Sequence, residues 1–353
     1  MSRVAVSQAA AFGAAPGPAR RLGLLLSGLG ALLALVAAAA LLLGSADVPP
    51  AAVARVLTGR AEPDSIERVV TLGLRLPRIL VAILAGGGLA VAGVGFQALT
   101  RNPLAEPSIL GVSGGAAFGV VVAQIFGLGL TVVEALGLTA FAFAGAVVAA
   151  GAVYLIASAQ RGLAVPTLLL AGVIVGIFFS SAITVVISVI DFNRLGAVVH
   201  WLLGNLAPIP PGALAIFAGL SAVGFWLIAS QARELNLLAL GEEAARQLGV
   251  DTERLKLTIF GGAALLTASV VAFTGPIGFV GLVVPHILRG VVGQDNRLLV
   301  PTALVGGGIF LLVADTIARN IVAPAELAVG VITSFCGAPV FVYLLRTRYR
   351  SAL

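Results

Sequence analysis

Between Gln231 and Lys256 the chain concentrates nine of its 36 charged residues (21 basic, 15 acidic), and runs of about twenty apolar residues flank this island on both sides. A helix needs about 20 apolar residues to cross roughly 30 Å of hydrocarbon, so the flanking runs are span-length. The island itself cannot rest in lipid, where charge is expensive. It must face water between two spans, within reach of a soluble partner. The rest of the chain agrees: 59% of residues are hydrophobic and 10% charged, against about 25% charged in a soluble domain. The apolar runs are too long for barrel strands and do not alternate, so the fold class is all-α integral membrane. Forty-four glycines and many alanines predict closely packed helices.

Ten spans are read, at 22–44, 77–98, 108–128, 132–158, 164–190, 210–230, 254–274, 277–293, 299–320 and 327–346. They form one transmembrane domain, 22–346, between an N-terminal tail 1–21 and a C-terminal tail 347–353, with the charged loop 231–256 inside it. The run Leu22–Leu43 exceeds a signal-peptide core, and more spans follow, so it reads as a retained first helix. An even number of spans puts both termini on one side. With the termini in the cytoplasm, fourteen of the 21 basic residues are inside and seven outside: Arg55, Arg60, Arg68, Arg75, Arg78, Arg194 and Arg319. That bias favours cytoplasmic termini. Two outer loops, 45–76 and 191–209, are long enough for structure. The first predicts a short helix near 50–58. The second, with Asp191, Asn193, Arg194 and His200, places Trp201 as an interfacial aromatic.

Several functions are excluded by what is missing. A phosphate loop needs Gly-Lys-Ser/Thr after four spacers from a first glycine. The single lysine, Lys256, sits between Leu255 and Leu257, so this chain should not hydrolyse nucleotide itself. One cysteine, Cys336, allows no internal disulfide, and two histidines with one methionine give no transition-metal ligand set. No soluble basic domain exists to hold nucleic acid.

Four segments stand out. In Gly241–Val250, Glu242 and Glu243 open a short helix favourably for its dipole, and Arg246 follows at pairing distance from both. Gly249 offers a stop. Ala244, Ala245 and Leu248 make a small apolar strip suited to a groove, although a plain solvated loop helix fits the same residues. The turn Arg101-Asn102-Pro103-Leu104-Ala105-Glu106-Pro107 is rigid and non-helical because of its two prolines. Gly275 to His286 breaks helix repeatedly, which membrane depth tolerates where protein or a water-filled cavity surrounds it. Ionisable residues in apolar surroundings are Glu134, Asp315 and Arg319, the last two at self-neutralising i, i+4 spacing. An echo between Arg101-Asn102-Pro103 and Asp295-Asn296-Arg297 fits an inverted repeat and equally a coincidence of short turns.

Taken in order, Leu74 to Arg78, Arg101 to Pro107 with Gly111 to Gly115, Trp201 to Gly204, Gly241 to Gly249, Gly278 to His286, Ala314-Asp315, Ala318-Arg319, Pro324 to Gly330 and Gly337 to Pro339 resemble the FecCD-type permease family. The likeness covers nearly all of 75–345. Ala328 and Asn296 depart from its usual proline and histidine. These permeases are membrane subunits of importers for ferric siderophores, heme and cobalamin.

The resemblance implies a ten-helix permease of the type II ABC importer kind, a homodimer in the bacterial cytoplasmic (inner) membrane. Two cytoplasmic ATPase subunits and one periplasmic or lipid-anchored solute-binding protein would complete it. It implies ATPase coupling by Gly241, Glu242, Glu243, Ala244, Arg246, Leu248 and Gly249, a cytoplasmic gate at Asn102 and Leu104, and binding-protein docking by Arg75, Arg78 and Arg319. No cofactor or metal would be bound by this chain; ATP and Mg would belong to the ATPase. The expected function is ATP-driven import of a metal chelate, a ferric siderophore ahead of cobalamin or heme. The rivals are an ion-coupled secondary transporter, which needs mid-membrane carboxylates, and a receptor or scaffold without flux.

Overall fold

The computed structural model describes residues 18–44, 46, 48–126, 137–159, 162–189, 192–323 and 325–350. Glu134, Arg161, Asp191, Pro324 and most of the N-terminal tail lie outside these. The described elements are helical throughout: α1 (Pro18–Leu42), α2 (Pro50–Leu57), α3 (Ile66–Arg68), α4 (Leu76–Thr100), α5 (Val112–Phe126), α6 (Gly137–Ala157), α7 (Val165–Val189), α8 (Phe192–Leu202), α9 (Pro211–Ser230), α10 (Ala232–Leu238), α11 (Glu242–Gln247), α12 (Thr252–Thr274), α13 (Val280–Val292), α14 (Asn296–Asn320) and α15 (Val329–Arg350). Among them, seven stretches are long and apolar enough to cross a membrane, and three shorter apolar helices lie at 112–126, 280–292 and 329–342. Seven of the ten expected spans coincide with those stretches and the other three overlap the shorter helices. The short helix expected near 50–58 is α2.

The core forms around α4, where every residue from Ala85 to Gln97 is buried. It packs on α14, α12, α13 and α9, while α5, α6 and α7 form a second group joined through α12. Glycine sets the closest approach. At the α4–α14 crossing, a Cβ on Gly86 would overlap the carbonyl of Gly307, and one on Gly307 the carbonyl of Gly86. With no water-driven force between spans, this backbone-to-backbone van der Waals contact carries the packing. Outward faces stay apolar, as at Ile177, Phe178 and Trp226, which suits lipid.

Two expectations are corrected. The loop 45–76, expected outside, is helical from Ile66 onward: α3 continues through a π-helical stretch, Val69–Arg75, into α4. Burial of Thr71 and Arg75 on the inner face of that stretch explains the extension. Pro285 does not break α13; the irregular backbone is confined to 275–279. Trp201 packs, half buried, against the apolar clusters. The loop 191–209 and the charged island also hold helices, α8 and α10, which sequence reasoning did not place.

Candidate functional site

The charged island folds into α10, α11 and the start of α12. Glycine punctuates α11 at both ends, with Gly241 at φ +118° and Gly249 at φ +87°. Val250 N–H reaches Ala245 O and Gly249 N–H reaches Arg246 O, a Schellman closure. Of the anticipated pairs, Arg246 Nη2 meets Glu242 Oε1 at 2.7 Å. Glu243 is exposed and has no ion pair among the described residues. The anticipated apolar strip is split: Ala245 is fully buried in its own chain, Ala244 is half buried, and Leu248 is 59% exposed. Leu248 is therefore the large apolar group this helix offers outward.

The base of the island is pinned to neighbouring helices. Asn236 of α10 donates to Asp295 at 2.7 Å and accepts from the Asn296 backbone and side chain, both at 2.9 Å. Asp295 caps α14, and its hydrogen bond from Arg297 holds its carboxyl down to about 2. Lys256 and Glu253 of α12 reach both α11 and the turn before α7. Sequence reasoning missed this node. One signal was available: a single lysine among twenty arginines.

The turn after α4 closes the same way as α11. Arg101 sits at φ +49°, and Asn102 N–H reaches back to Gln97 O. Asn102 Oδ1 accepts from Leu104 N–H at 3.0 Å, so the two anticipated gate residues are locked in one turn. Beside it lies a cavity of about 590 Å³ lined by Gln97, Arg101, Pro103, His286, Arg289 and Asn296, among others. Further along, Glu106 accepts from Phe279 N–H at 2.6 Å, where Phe279 itself has φ +69°. This carboxylate at the 275–279 break was not among the ionisable residues singled out from the sequence. A second cavity of about 410 Å³ borders that break, lined by Ser108, Ser113, Ile277 and Ser334 among others.

At the other end of α4, the three anticipated docking arginines meet. Arg75 is buried, and its guanidinium donates to Leu41 O and Ala46 O at 2.6 Å, capping the end of α1. Arg78 grips Asp315 through Nε and Nη2 and reaches Glu326 Oε2 at 2.7 Å. Arg319 Nε lies 3.0 Å from Asp315 Oδ2, the anticipated i, i+4 pair, but off the line of a hydrogen bond. Asp315 is wholly buried. Arg75, Arg78, Arg319 and Glu326 together line a notch of about 190 Å³.

A family model described as the FecCD transport family matches residues 32–347. The chain is 42% identical over 286 residues to the cobalamin import system permease protein BtuC of Halobacterium salinarum, covering 81% of this chain and 76% of that one. It is 38% identical over 308 residues to the hemin transport system permease protein HmuU of Yersinia pestis, covering 86% and 91%. The fold is also similar to a solved inward-facing conformation of a metal-chelate type ABC transporter, with TM-score 0.78 and 32% identity, covering 92% of this chain and 99% of that one.

Proposed function

This chain belongs to the FecCD transport family, and from that premise we propose that it imports a metal chelate, a ferric siderophore ahead of heme or cobalamin. As a permease subunit of an ABC transporter it is a multi-pass protein of the inner membrane, not itself the catalytic enzyme. Permeases of this family work with ATPase and substrate-binding partners. The finer assembly is part of the proposal: a homodimer of ten-span subunits with cytoplasmic termini, one domain over 22–346, two ATPase subunits inside and one binding protein outside. ATP and Mg stay with the ATPase, and this chain holds no cofactor.

The observation that carries the reading is α11. It is a short helix bounded by glycines and seated through Ala245, with Glu243 and Leu248 turned outward and Arg246 braced on Glu242. That is a rigid knob suited to a groove on a soluble partner. Gly241, Glu242, Glu243, Ala244, Arg246, Leu248 and Gly249 act as the ATPase contact, and Asn102 with Leu104 as the cytoplasmic gate. Arg75, Arg78 and Arg319 act in binding-protein docking. The supporting charge argument is that three guanidinium groups gather at one notch where, among the described residues, only two carboxylates, Asp315 and Glu326, pair with Arg78 and Arg319 while Arg75 meets only carbonyls, a surplus an acidic partner residue relieves. Of the three, Arg78 is the most accessible, through its exposed partner Glu326.

The test is purification from native membranes in mild detergent. ATPase subunits at one copy per permease are expected, with a binding protein that is then titrated with iron chelates, heme and cobalamin. A chain that never recovers a nucleotide-binding partner, and whose uptake follows an ion gradient without ATP, overturns the reading.

A further inference from the structure

Lys256 stands apart chemically and in position. It is the one lysine in the chain, and its side chain is 5% exposed. Its ammonium has three donors and three partners: Leu163 O at 2.9 Å, Glu242 Oε1 at 3.0 Å and Glu253 Oε1 at 2.5 Å. The three belong to three separate elements. Leu163 lies in the turn between α6 and α7, Glu242 opens α11, and Glu253 is in the first turn of α12. The turn is held from a second direction, because Leu163 N–H donates to Glu253 Oε2 at 2.7 Å. Gly162 beside it has φ +108°, and a Cβ there would lie 2.8 Å from Glu253 Oε2. The turn is therefore shaped to this carboxylate. Arg246 adds a brace from α11, donating to Thr252 Oγ1 at 2.8 Å.

A compact ammonium satisfies three acceptors converging from different directions, whereas a planar guanidinium presents its donors in one fork. This accounts for a lysine where the chain otherwise uses arginine. A buried charge held by partners on three elements resists their separation, since a lost partner leaves charge unpaired in a poorly solvated place.

We propose that Lys256 is a positioning residue that transmits displacement of α11 to the α6–α7 turn. Resting on the reading of α11 as the ATPase contact, it assigns the receiving element: α6 and α7 move with α11 because Leu163 is tied to the same ammonium as Glu242. The cation acts through the turn and does not touch cargo.

The experiment places one cysteine in the turn, Ala164→Cys in a Cys336→Ser background, in the complex with its copurified ATPase. Maleimide labelling of that exposed position is read with and without ATP, magnesium and vanadate. The expected result is a labelling rate that depends on nucleotide in the parent and loses that dependence in Lys256→Met, with the ATPase still bound. Lys256→Arg keeps the charge and is expected not to restore it. Gly162→Ala disturbs the node while retaining every charged group, so it reports even if Lys256→Met does not insert; the same loss is expected. Nucleotide dependence that survives in Lys256→Met or in Gly162→Ala, or that is absent in a parent carrying bound ATPase, overturns the proposal, as does full rescue by Lys256→Arg. Failure of the parent to bind any ATPase overturns the underlying reading instead.

Discussion

Arg78 and Asp315 lie 237 residues apart, yet Arg78 Nε and Nη2 both donate to the Asp315 carboxylate, at 3.0 and 2.8 Å. Arg319 sits against the same carboxylate, which has no exposure at all. Among the described residues, removing Asp315 takes the one ion-pair partner of Arg319 and leaves Arg78 with Glu326 alone, and breaking a buried pair from one side costs about 3–5 kcal/mol. Asp315→Ala is expected to lower the unfolding midpoint in detergent sharply. Asp315→Leu combined with Arg78→Met and Arg319→Met should cost less than Asp315→Ala alone. Equal losses would mean the cluster is not electrostatically coupled.

That cluster also shows where the sequence stops being readable. The Asp315–Arg319 spacing was visible because helix geometry fixes i, i+4 neighbours. Arg78 joining them was not, because nothing local specifies a contact between α4 and α14. Span positions were legible from run length alone, and α11 from its acidic start and Gly249. By contrast, Arg75 looks in sequence like any outer arginine. Only the fold shows it spent on the carbonyls of Leu41 and Ala46. Glu106 was hidden similarly, since Phe279 lies far along the chain, and so was the tie of Lys256 to Leu163, although its pairing with Glu253 is a local i, i+3 contact.

Some glycines face backbone across a crossing and others face open space. Gly307→Val puts side-chain atoms into the Gly86 carbonyl across the α4–α14 crossing. Overpacking costs typically about 1–3 kcal/mol, and more where the neighbour is backbone that cannot turn aside. Gly28 in α1 has open space around its missing Cβ, so Gly28→Ala should be neutral or stabilising, by up to about 1 kcal/mol from helix preference. Unfolding midpoints of the two variants moving together would defeat this account of the crossing.

Asp295 gives a pH signature. Hydrogen bonding by Arg297 depresses its folded pKa to about 2 from an ordinary 3.8. A depressed carboxylate stabilises fully above its unfolded value and loses that stabilisation as pH falls through the folded one. Its contribution is thus present at neutral pH and disappears between about 4 and 2. Melting in detergent across that window should fall less steeply for Asp295→Asn than for the parent, with the variant already weaker at pH 7. Parallel slopes would show that Asp295 is not capping α14 in solution.

Glu242 and Glu243 are adjacent acids with different work, and charge reversal separates them. Glu243 is exposed without an ion pair among the described residues, so its fold contribution is limited to the α11 dipole, worth about 0.3–1 kcal/mol. Glu242 instead accepts from Arg246 at 2.7 Å and from Lys256 at 3.0 Å. Glu243→Lys should abolish coupled uptake in vesicles while leaving the melting midpoint within a degree or two of the parent. Glu242→Lys should abolish uptake and also lower the midpoint, because it faces Lys256 with a second cation. Uptake that persists at the parental rate in Glu243→Lys would remove α11 from the ATPase contact. Loss of uptake together with a large loss of stability there would instead mean that Glu243 supports the fold.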